Sequence, residues 1–564
     1  MASHRFGVVG VGLLCLALAP PLRAAAPDAA AELSKEMKAA LELTAKIDRL
    51  VEAHWTAKGV QPAPPADDAE FLRRVYLDIA GRIPRIGEVR RFLEDQAPDK
   101  RLRLIEHLLA KDHDGRDSPS YRYVIKQLAE VWRAQLLPET NNQRFNQFGT
   151  ALDAWLKDRL GNNVGYDQLV RELLTARVAA NAPQGGRPVA LNPNEPSPLA
   201  FYQANEFKPE NLAAATSRLF LGVKLECAQC HDHPFAKWKR EQFWEYAAFF
   251  AGIQPQRGGF AAQRDEAAAR EITIPGTERK VQARFLDGAE PKWQDGTTTR
   301  ATLAEWVTAP DNPYFAKAAV NRLWAHFFGI GLIDPVDEMV GAENSAGNEE
   351  LLNLLAREFV EHQFDLQFLM RAITASKAYQ LTSAQTDPSQ ADPRLLARMN
   401  LKGLTPEQLF DSLAAATGYR EPANPNQRVV VFPGVNTPRG EFLAKFANHS
   451  DKRTEYSTSI LQALMLMNGR FVENATAGDE AALNDPQMQK SVTLGAIIDF
   501  PFFDTTEKKI EALYLATLSR PPRANERERL VKYVEKDNPS GDPKKALADV
   551  LWTLLNSSEF ILNH

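Results

Sequence analysis

The chain has 564 residues, of which 44% are hydrophobic and 25% are charged, a composition typical of folded globular domains. Its 67 basic and 72 acidic residues give a net charge of -5, which argues against a dedicated nucleic-acid binder because such domains carry a clear basic excess. The length allows about three to four average domains or two large ones. Beyond the N-terminal segment, no apolar run approaches the roughly 20 residues of a transmembrane helix.

Residues 1–26 have the pattern of a cleaved secretory signal. Arg5 precedes an apolar stretch, Phe6–Ala19, and the small residues Ala24–Ala26 suit a signal peptidase. An uncleaved N-terminal anchor is the alternative interpretation of the same segment. We therefore expect a periplasmic, extracellular or cell-surface protein with no transmembrane segment after signal removal.

The rest of the chain predicts a mainly α fold with two packed helical domains and a small β insert near residues 270–287. Apolar residues recur at helical spacing over most of the length, and Thr405-Pro406-Glu407-Gln408 is a helix-capping signature. Residues 271–275 and 280–286 alternate as short strands do. The predicted segments are 27–66 as a helical leader and Pro-rich linker, 67–253 as an N-terminal helical domain, 254–300 as a β/loop insert and 301–564 as a C-terminal helical domain.

The sequence Cys227-Ala228-Gln229-Cys230-His231 fits the attachment signature of c-type haem. Two thiols separated by two residues can each bond to the porphyrin, and the adjacent histidine can supply an axial nitrogen to the iron. Apart from Cys15 in the signal segment, these are the only cysteines of the chain. The candidate site residues are therefore Cys227, Cys230 and His231, with haem c as the cofactor and His231 as the iron ligand.

Two other interpretations of this motif remain open. Asp232 and His233 follow directly, so one loop could offer ligands to a zinc-like ion. In an oxidising compartment, Cys227 and Cys230 could instead form a small disulfide.

The surroundings of the motif offer further candidates with weaker signals. Aromatic residues follow it and could form a haem wall, although their helical spacing is more typical of core packing. Candidate sixth ligands are Met339, Met370, Met465, Met467 and His326. Elsewhere, Asp334 and Asp337 could support hydrolysis, but ion pairing is the more usual role of such residues. No catalytic motif is recognisable, so an enzymatic role is not expected.

Several longer motifs resemble a known pair of families. The motifs are Phe71–Gly81, Leu221–Phe235, Asn321–Glu338, Leu404–Leu409 and Leu518–Pro522. The first two resemble a planctomycete cytochrome-associated domain, domain of unknown function fifteen forty-nine. The others resemble its usual partner, domain of unknown function fifteen fifty-three. The resemblance implies a secreted, largely helical, cytochrome-like bacterial protein.

These observations predict an exported c-type haem protein that acts as an electron carrier or redox subunit, with a redox protein as its partner. The alternative is a non-catalytic secreted scaffold or binding protein associated with extracellular polysaccharide processing. In that case its Cys pair would be structural or metal-binding, and its partner would be a secreted carbohydrate-processing protein.

Overall fold

The computed structural model describes most of the chain beyond the predicted signal segment. The described residues are 33–111, 115–137, 145–178, 195–232, 238–255, 262–265, 269–339, 347–419, 437–446 and 492–564. Residues 1–26 lie outside them, so the secretory signal stays a prediction.

The fold is mainly α-helical, as predicted. The first helices are α1 (Lys35–Lys58), α2 (Asp68–Ala80), α3 (Ile86–Glu94), α4 (Lys100–Leu109), α5 (Pro119–Leu136), α6 (Phe145–Gly161), α7 (Tyr166–Leu174), α8 (Leu199–Ala204), α9 (Pro209–Leu221) and α10 (Arg240–Ala247). They are followed by α11 (Thr299–Val307), α12 (Phe315–Phe328), α13 (Glu349–Glu361), α14 (Leu366–Ala375), α15 (Lys377–Gln380), α16 (Pro406–Thr417) and α17 (Pro438–Phe446). The chain ends with α18 (Val492–Asp499), α19 (Thr506–Thr517), α20 (Ala524–Lys532), α21 (Pro543–Leu555) and α22 (Ser558–Ile561).

Short antiparallel strand pairs interrupt the helices. The strands are β1 (Ile253–Pro255), β2 (Ala262–Asp265), β3 (Glu271–Thr273), β4 (Lys280–Gln282), β5 (Lys402–Gly403) and β6 (Leu562–Asn563), paired as β1–β2, β3–β4 and β5–β6. The β3–β4 hairpin, in which Ile272 lies opposite Val281, confirms the predicted β insert. The β5–β6 pair joins segments about 160 residues apart, which no local pattern predicts.

Local capping explains where several helices begin and end. The Asp67 side chain accepts a hydrogen bond from the Glu70 amide at the start of α2. At the start of α16, Thr405 and Gln408 form the capping box that the sequence predicted. Gly81 ends α2 at a φ of 68°, and a Cβ atom at this position would lie 2.2 Å from Oε1 of Gln127. Glycine is therefore required there both by the backbone conformation and by the close approach of α5.

The buried apolar side chains form two clusters that meet at α2. The first cluster contains buried residues from Met37 to Met399, together with Leu515. The second contains residues from Leu404 to Phe560, together with Leu77 and Ile83. Because α2 contributes side chains to both clusters, it is the structural link between them. The domain limits given by the sequence pattern stay a prediction.

Helix α2 also carries buried cationic side chains that bind distant backbone. Arg73 is fully buried and donates hydrogen bonds to the carbonyl oxygens of Thr517, Glu559 and Phe560, at 3.0, 3.2 and 2.7 Å. Burial lowers the pKa of Arg73 to about 10, which still leaves the guanidinium charged at neutral pH. This one side chain therefore satisfies carbonyls near the ends of two C-terminal helices.

The neighbouring Arg74 connects α2 to two other parts of the fold. It donates to the carbonyl oxygens of Leu381 and the C-terminal His564, at 2.8 and 3.1 Å. It also forms an ion pair with Glu70 at 2.7 Å, one turn earlier on the same helix. Glu70 in turn accepts hydrogen bonds from the Thr382 hydroxyl and the Ser383 amide, which extends the same link.

Asp78, one turn after Arg74, is the central acceptor of a third buried set of hydrogen bonds on α2. Its carboxylate accepts from Nζ of Lys402 at 2.6 Å, from the Tyr379 hydroxyl at 2.8 Å and from Nδ2 of Asn563 at 2.7 Å. Lys402 also donates to the carbonyl oxygens of His326 and Phe327 at the end of α12. The buried Asp78–Lys402 pair therefore connects four parts of the fold: helices α2, α12 and α15 and the β5–β6 pair.

Replacing Asp78 with asparagine should destabilise the whole protein. The change leaves the Lys402 ammonium buried without its counter-charge, which typically costs about 3–5 kcal/mol. We expect this loss in the free energy of unfolding measured by urea denaturation. Glu271→Gln is the control, because its ion pair with Lys280 is exposed and its loss should leave the urea midpoint unchanged. A midpoint for Asp78→Asn equal to that of the control would contradict the proposed role of Asp78.

Candidate functional site

The chain that leads into the Cys-x-x-Cys-His segment is held in place at the end of α9. Gly222 ends this helix at a φ of 62°, and a Cβ atom there would lie 2.6 Å from Sδ of Met339. The Met339 amide donates to the Gly222 carbonyl oxygen at 2.8 Å. The next apolar residues, Val223 and Leu225, are buried and anchor the chain on the first core cluster.

The two cysteines lie on a short 3-10 turn, Glu226–Gln229, and its following residue. Ala228 is fully buried in the core, whereas Cys227 and Cys230 are exposed free thiols. Both thiols are therefore exposed on a short turn whose Ala228 packs in the core.

Helix α10 holds this turn through the Gln229 carbonyl oxygen. That oxygen accepts a hydrogen bond from Nε1 of Trp244 at 3.1 Å and another from Nε of Arg240 at 3.4 Å. Arg240 also donates to the Pro275 carbonyl oxygen at 2.8 Å, which connects the turn to the β insert. The backbone amide of Arg240 donates to Oδ1 of Asp232 at 2.9 Å. The segment around the cysteines is thus fixed by contacts on both sides of the turn.

His231 is exposed beside the two thiols. Its Nδ1 atom lies 2.7 Å from the Asp232 carbonyl oxygen, which can only accept a hydrogen bond. In the neutral ring, Nδ1 therefore carries the proton and Nε2 carries the free lone pair. This is the tautomer in which Nε2 can ligate a metal ion.

Charged residues next to the turn are already engaged with one another. Lys224 forms an ion pair with Glu338 at 2.8 Å, and the hydrogen bond that Lys224 donates to the Glu338 carboxylate raises the pKa of Lys224. Burial raises the pKa of Glu226, which lies 3.3 Å from Arg218. The positive charge of Lys224 is therefore partly compensated.

The aromatic residues after the motif pack in the core. The buried members are Phe243, Trp244, Tyr246, Phe249 and Phe250, none more than 2% exposed. Phe249 stacks on Phe285 of the β insert at a centroid distance of 5.1 Å. Core packing, the more usual meaning of their helical spacing, is what the structure shows. These rings do not line an open slot for a porphyrin.

The candidate sixth ligands have different surroundings. Met465 and Met467 lie outside the described residues, and Met370 is fully buried in α14. The Nε2 atom of His326 is 2.8 Å from the Asp78 carbonyl oxygen, so that nitrogen is already used. Met339 packs against Gly222, which precedes the cysteines by only a few residues in the chain.

Among the described residues, the geometry offers the zinc interpretation no ligand cluster and places one aspartate of the hydrolase interpretation in an ion pair. Over the described ranges, no group of three or more His, Cys, Asp or Glu side chains is placed to hold a metal ion. His233, which the zinc interpretation uses, lies outside those ranges. Asp337 forms an ion pair with Arg322, in agreement with the structural role expected for it.

Sequence reasoning missed a cavity of about 650 Å³ elsewhere in the molecule. Asp334, His326 and Lys402 line it together with residues of α5. The Asn321–Glu338 motif was the available signal, but the cavity walls come from segments far apart in the chain. Within the part of the chain that is described, no helix is long and apolar enough to cross a membrane.

Two family models match the chain. Residues 46–255 match the family described as protein of unknown function (DUF1549), and residues 299–534 match the one described as protein of unknown function (DUF1553). The cysteine turn lies in the first match, and helix α12 with the Asn321–Glu338 motif lies in the second. The searches of curated proteins and of solved structures each found no match. The chain therefore belongs to the proteins that pair a DUF1549 region with a DUF1553 region.

Proposed function

We propose that this protein is an exported c-type haem protein that transfers electrons to or from a redox partner protein. Cys227 and Cys230 would form the two thioether bonds, and Nε2 of His231 would supply an axial nitrogen. The observation that carries the proposal is the pair of exposed free thiols on one short turn held by hydrogen bonds, directly followed by an exposed imidazole.

The donor set fits a covalently held haem. Thioether formation requires two thiols that a porphyrin can reach, and neither sulfur is enclosed by the core. The hydrogen bond from Nδ1 of His231 to the Asp232 carbonyl oxygen fixes the ring tautomer that leaves Nε2 free. When bound, haem supplies reversible one-electron chemistry at its iron.

The protein's own residues would keep the site rigid and accessible. Buried Ala228 and the hydrogen bonds from Trp244 and Arg240 hold the turn, so attachment requires little rearrangement of the fold. Since the nearby aromatic rings are in the core, the group would lie on the surface, where a partner protein can approach. Covalent haem attachment takes place outside the cytoplasm, which makes export part of the same proposal.

The scaffold alternative has less support from the geometry. A disulfide between Cys227 and Cys230 would close a loop of only four residues, so it would restrict the unfolded chain little. Neither thiol packs in the core, so neither contributes apolar burial. A purely structural role thus leaves the exposed pair without a clear benefit to stability.

Both thiols should react in the folded protein when no haem is attached. We expect two equivalents of Ellman's reagent to react under native conditions with a chain produced in the cytoplasm without residues 1–26. Cys227→Ala and Cys230→Ala should each leave one equivalent, with an unchanged Tm because both side chains are exposed. Reaction only after unfolding would show that the thiols are inaccessible and would contradict the proposed site.

Production in the periplasm of a host with a cytochrome-maturation system should give a coloured protein. After reduction, we expect the sharp visible bands of low-spin c-type haem, and haem staining should persist on a denaturing gel. His231→Ala should abolish the low-spin spectrum, because the axial nitrogen is lost. His54→Ala, remote from the motif in sequence and on α1, is the control and should retain it. A colourless wild-type protein would overturn the haem proposal and favour the scaffold alternative.

A further inference from the structure

The cavity of about 650 Å³ lies between α5, α12 and the segment 393–408. Its volume is within the range of about 300–1,000 Å³ typical of small-molecule sites. Helix α5 belongs to the DUF1549 match, whereas α12 and the segment belong to the DUF1553 match. The cavity is therefore formed jointly by the two family regions and is distinct from the cysteine turn.

His326 contributes a free acceptor atom to this cavity. Its Nε2 atom lies 2.8 Å from the Asp78 carbonyl oxygen, so Nε2 carries the proton and Nδ1 carries the lone pair. Burial lowers the pKa of His326 and the Lys402 ammonium lowers it further, while Asp78 opposes them, so the ring is neutral at pH 7. Nothing else among the described residues forms a hydrogen bond with the ring nitrogens.

Asn400 provides a second free acceptor at the same end of α12. Its Nδ2 atom donates to the Phe328 carbonyl oxygen at 3.0 Å, whereas its Oδ1 atom has no partner in the described part of the chain. Both Asn400 and His326 line the cavity. An amide oxygen and an imidazole lone pair can each accept a hydrogen bond, so a ligand here must supply donors.

Two cationic side chains of the cavity wall, Lys402 and Arg322, are already committed. Nζ of Lys402 donates to Asp78 and to the carbonyl oxygens of His326 and Phe327, which uses its three protons. The Arg322 guanidinium donates to the Leu219 and Arg218 carbonyl oxygens and forms an ion pair with Asp337. An anionic ligand would therefore have to displace existing partners at these two side chains. Arg398, which also lines the cavity, donates to the carbonyl oxygens of Gln390 and Ser383, both at 3.2 Å, and has no carboxylate partner among the described residues.

The Glu130 and Glu407 carboxylates of the wall are paired with cationic side chains as well. Glu130 forms an ion pair with Arg439 at 2.9 Å, and Glu407 lies 3.3 Å from Arg133. A cationic ligand would thus compete with charges that the protein already provides. Free acceptors beside the Arg398 guanidinium, which still has N–H donors, favour a ligand with several hydroxyl groups, because a hydroxyl can both donate and accept a hydrogen bond.

We propose that this cavity binds a small uncharged polyhydroxyl molecule of the size of a mono- or disaccharide. Nδ1 of His326 and Oδ1 of Asn400 accept hydrogen bonds from its hydroxyl groups. The proposal does not depend on the haem site, because it uses different residues and a different part of the fold.

Two variants test the site in different ways. His326→Gln retains an amide donor where Nε2 contacts the Asp78 carbonyl oxygen but removes the acceptor at Nδ1. Ala134→Trp places a large side chain at an exposed position of α5 that lines the cavity. Ala524→Trp on α20 is the matched control, because it adds the same side chain at an exposed position that does not line this cavity.

The binding of cellobiose, maltose and sucrose to the full chain would be measured by ligand-observed NMR and calorimetry, with inorganic phosphate and putrescine as charged comparisons. We expect at least one of the sugars to bind, about tenfold more weakly to His326→Gln, which corresponds to one lost hydrogen bond. Ala134→Trp should abolish binding, and Ala524→Trp should leave it unchanged. Tm values establish that each variant is folded, and Ala134→Trp decides alone if His326→Gln is not.

Three results would overturn the proposal. These are the absence of binding by all three sugars, preferential binding of phosphate or putrescine, and unchanged sugar binding by folded Ala134→Trp. A colourless protein that still binds a sugar at this cavity would overturn only the haem proposal.

Discussion

The structure depends on buried charges of helix α2 that bind chain segments hundreds of residues away. Arg73 and Arg74 donate to backbone carbonyls of the C-terminal helices and the last residue, and Asp78 accepts from Lys402 and Asn563. Each of these groups would be costly to bury alone, so the loss of a partner should destabilise the contact between distant parts of the fold. The two family regions are therefore physically interdependent.

This interdependence limits where chemistry can occur. Most polar groups of the interior are paired with one another, as Asp78 and Lys402 show. Among the described residues, two of the places with free chemical capacity are the exposed Cys227 and Cys230 turn with His231, and the cavity where His326 and Asn400 present unused acceptors. The cysteine turn is held by hydrogen bonds from helix α10, and the cavity is formed by both family regions. A rigid scaffold that leaves these groups free is consistent with the two proposals.

Much of the local structure could be predicted from the sequence, whereas the long-range polar contacts could not. The Thr405 capping box and the β3–β4 hairpin follow from signals within a few residues. By contrast, Arg73, Arg74 and Asp78 resemble the exposed side of an ordinary helix, because most of their partners lie more than 300 residues away. The cysteine spacing identified the candidate site, but the core position of the aromatic rings required the tertiary structure. The cavity was missed for the same reason.

The most direct test of the haem account is the intact mass of the mature protein from a maturation-competent host, measured after denaturation. The account predicts a polypeptide that begins after the signal segment, heavier by one haem, with no thiol available for alkylation. A mass equal to that of the polypeptide alone, with Cys227 and Cys230 either alkylated or joined as a disulfide, would contradict it.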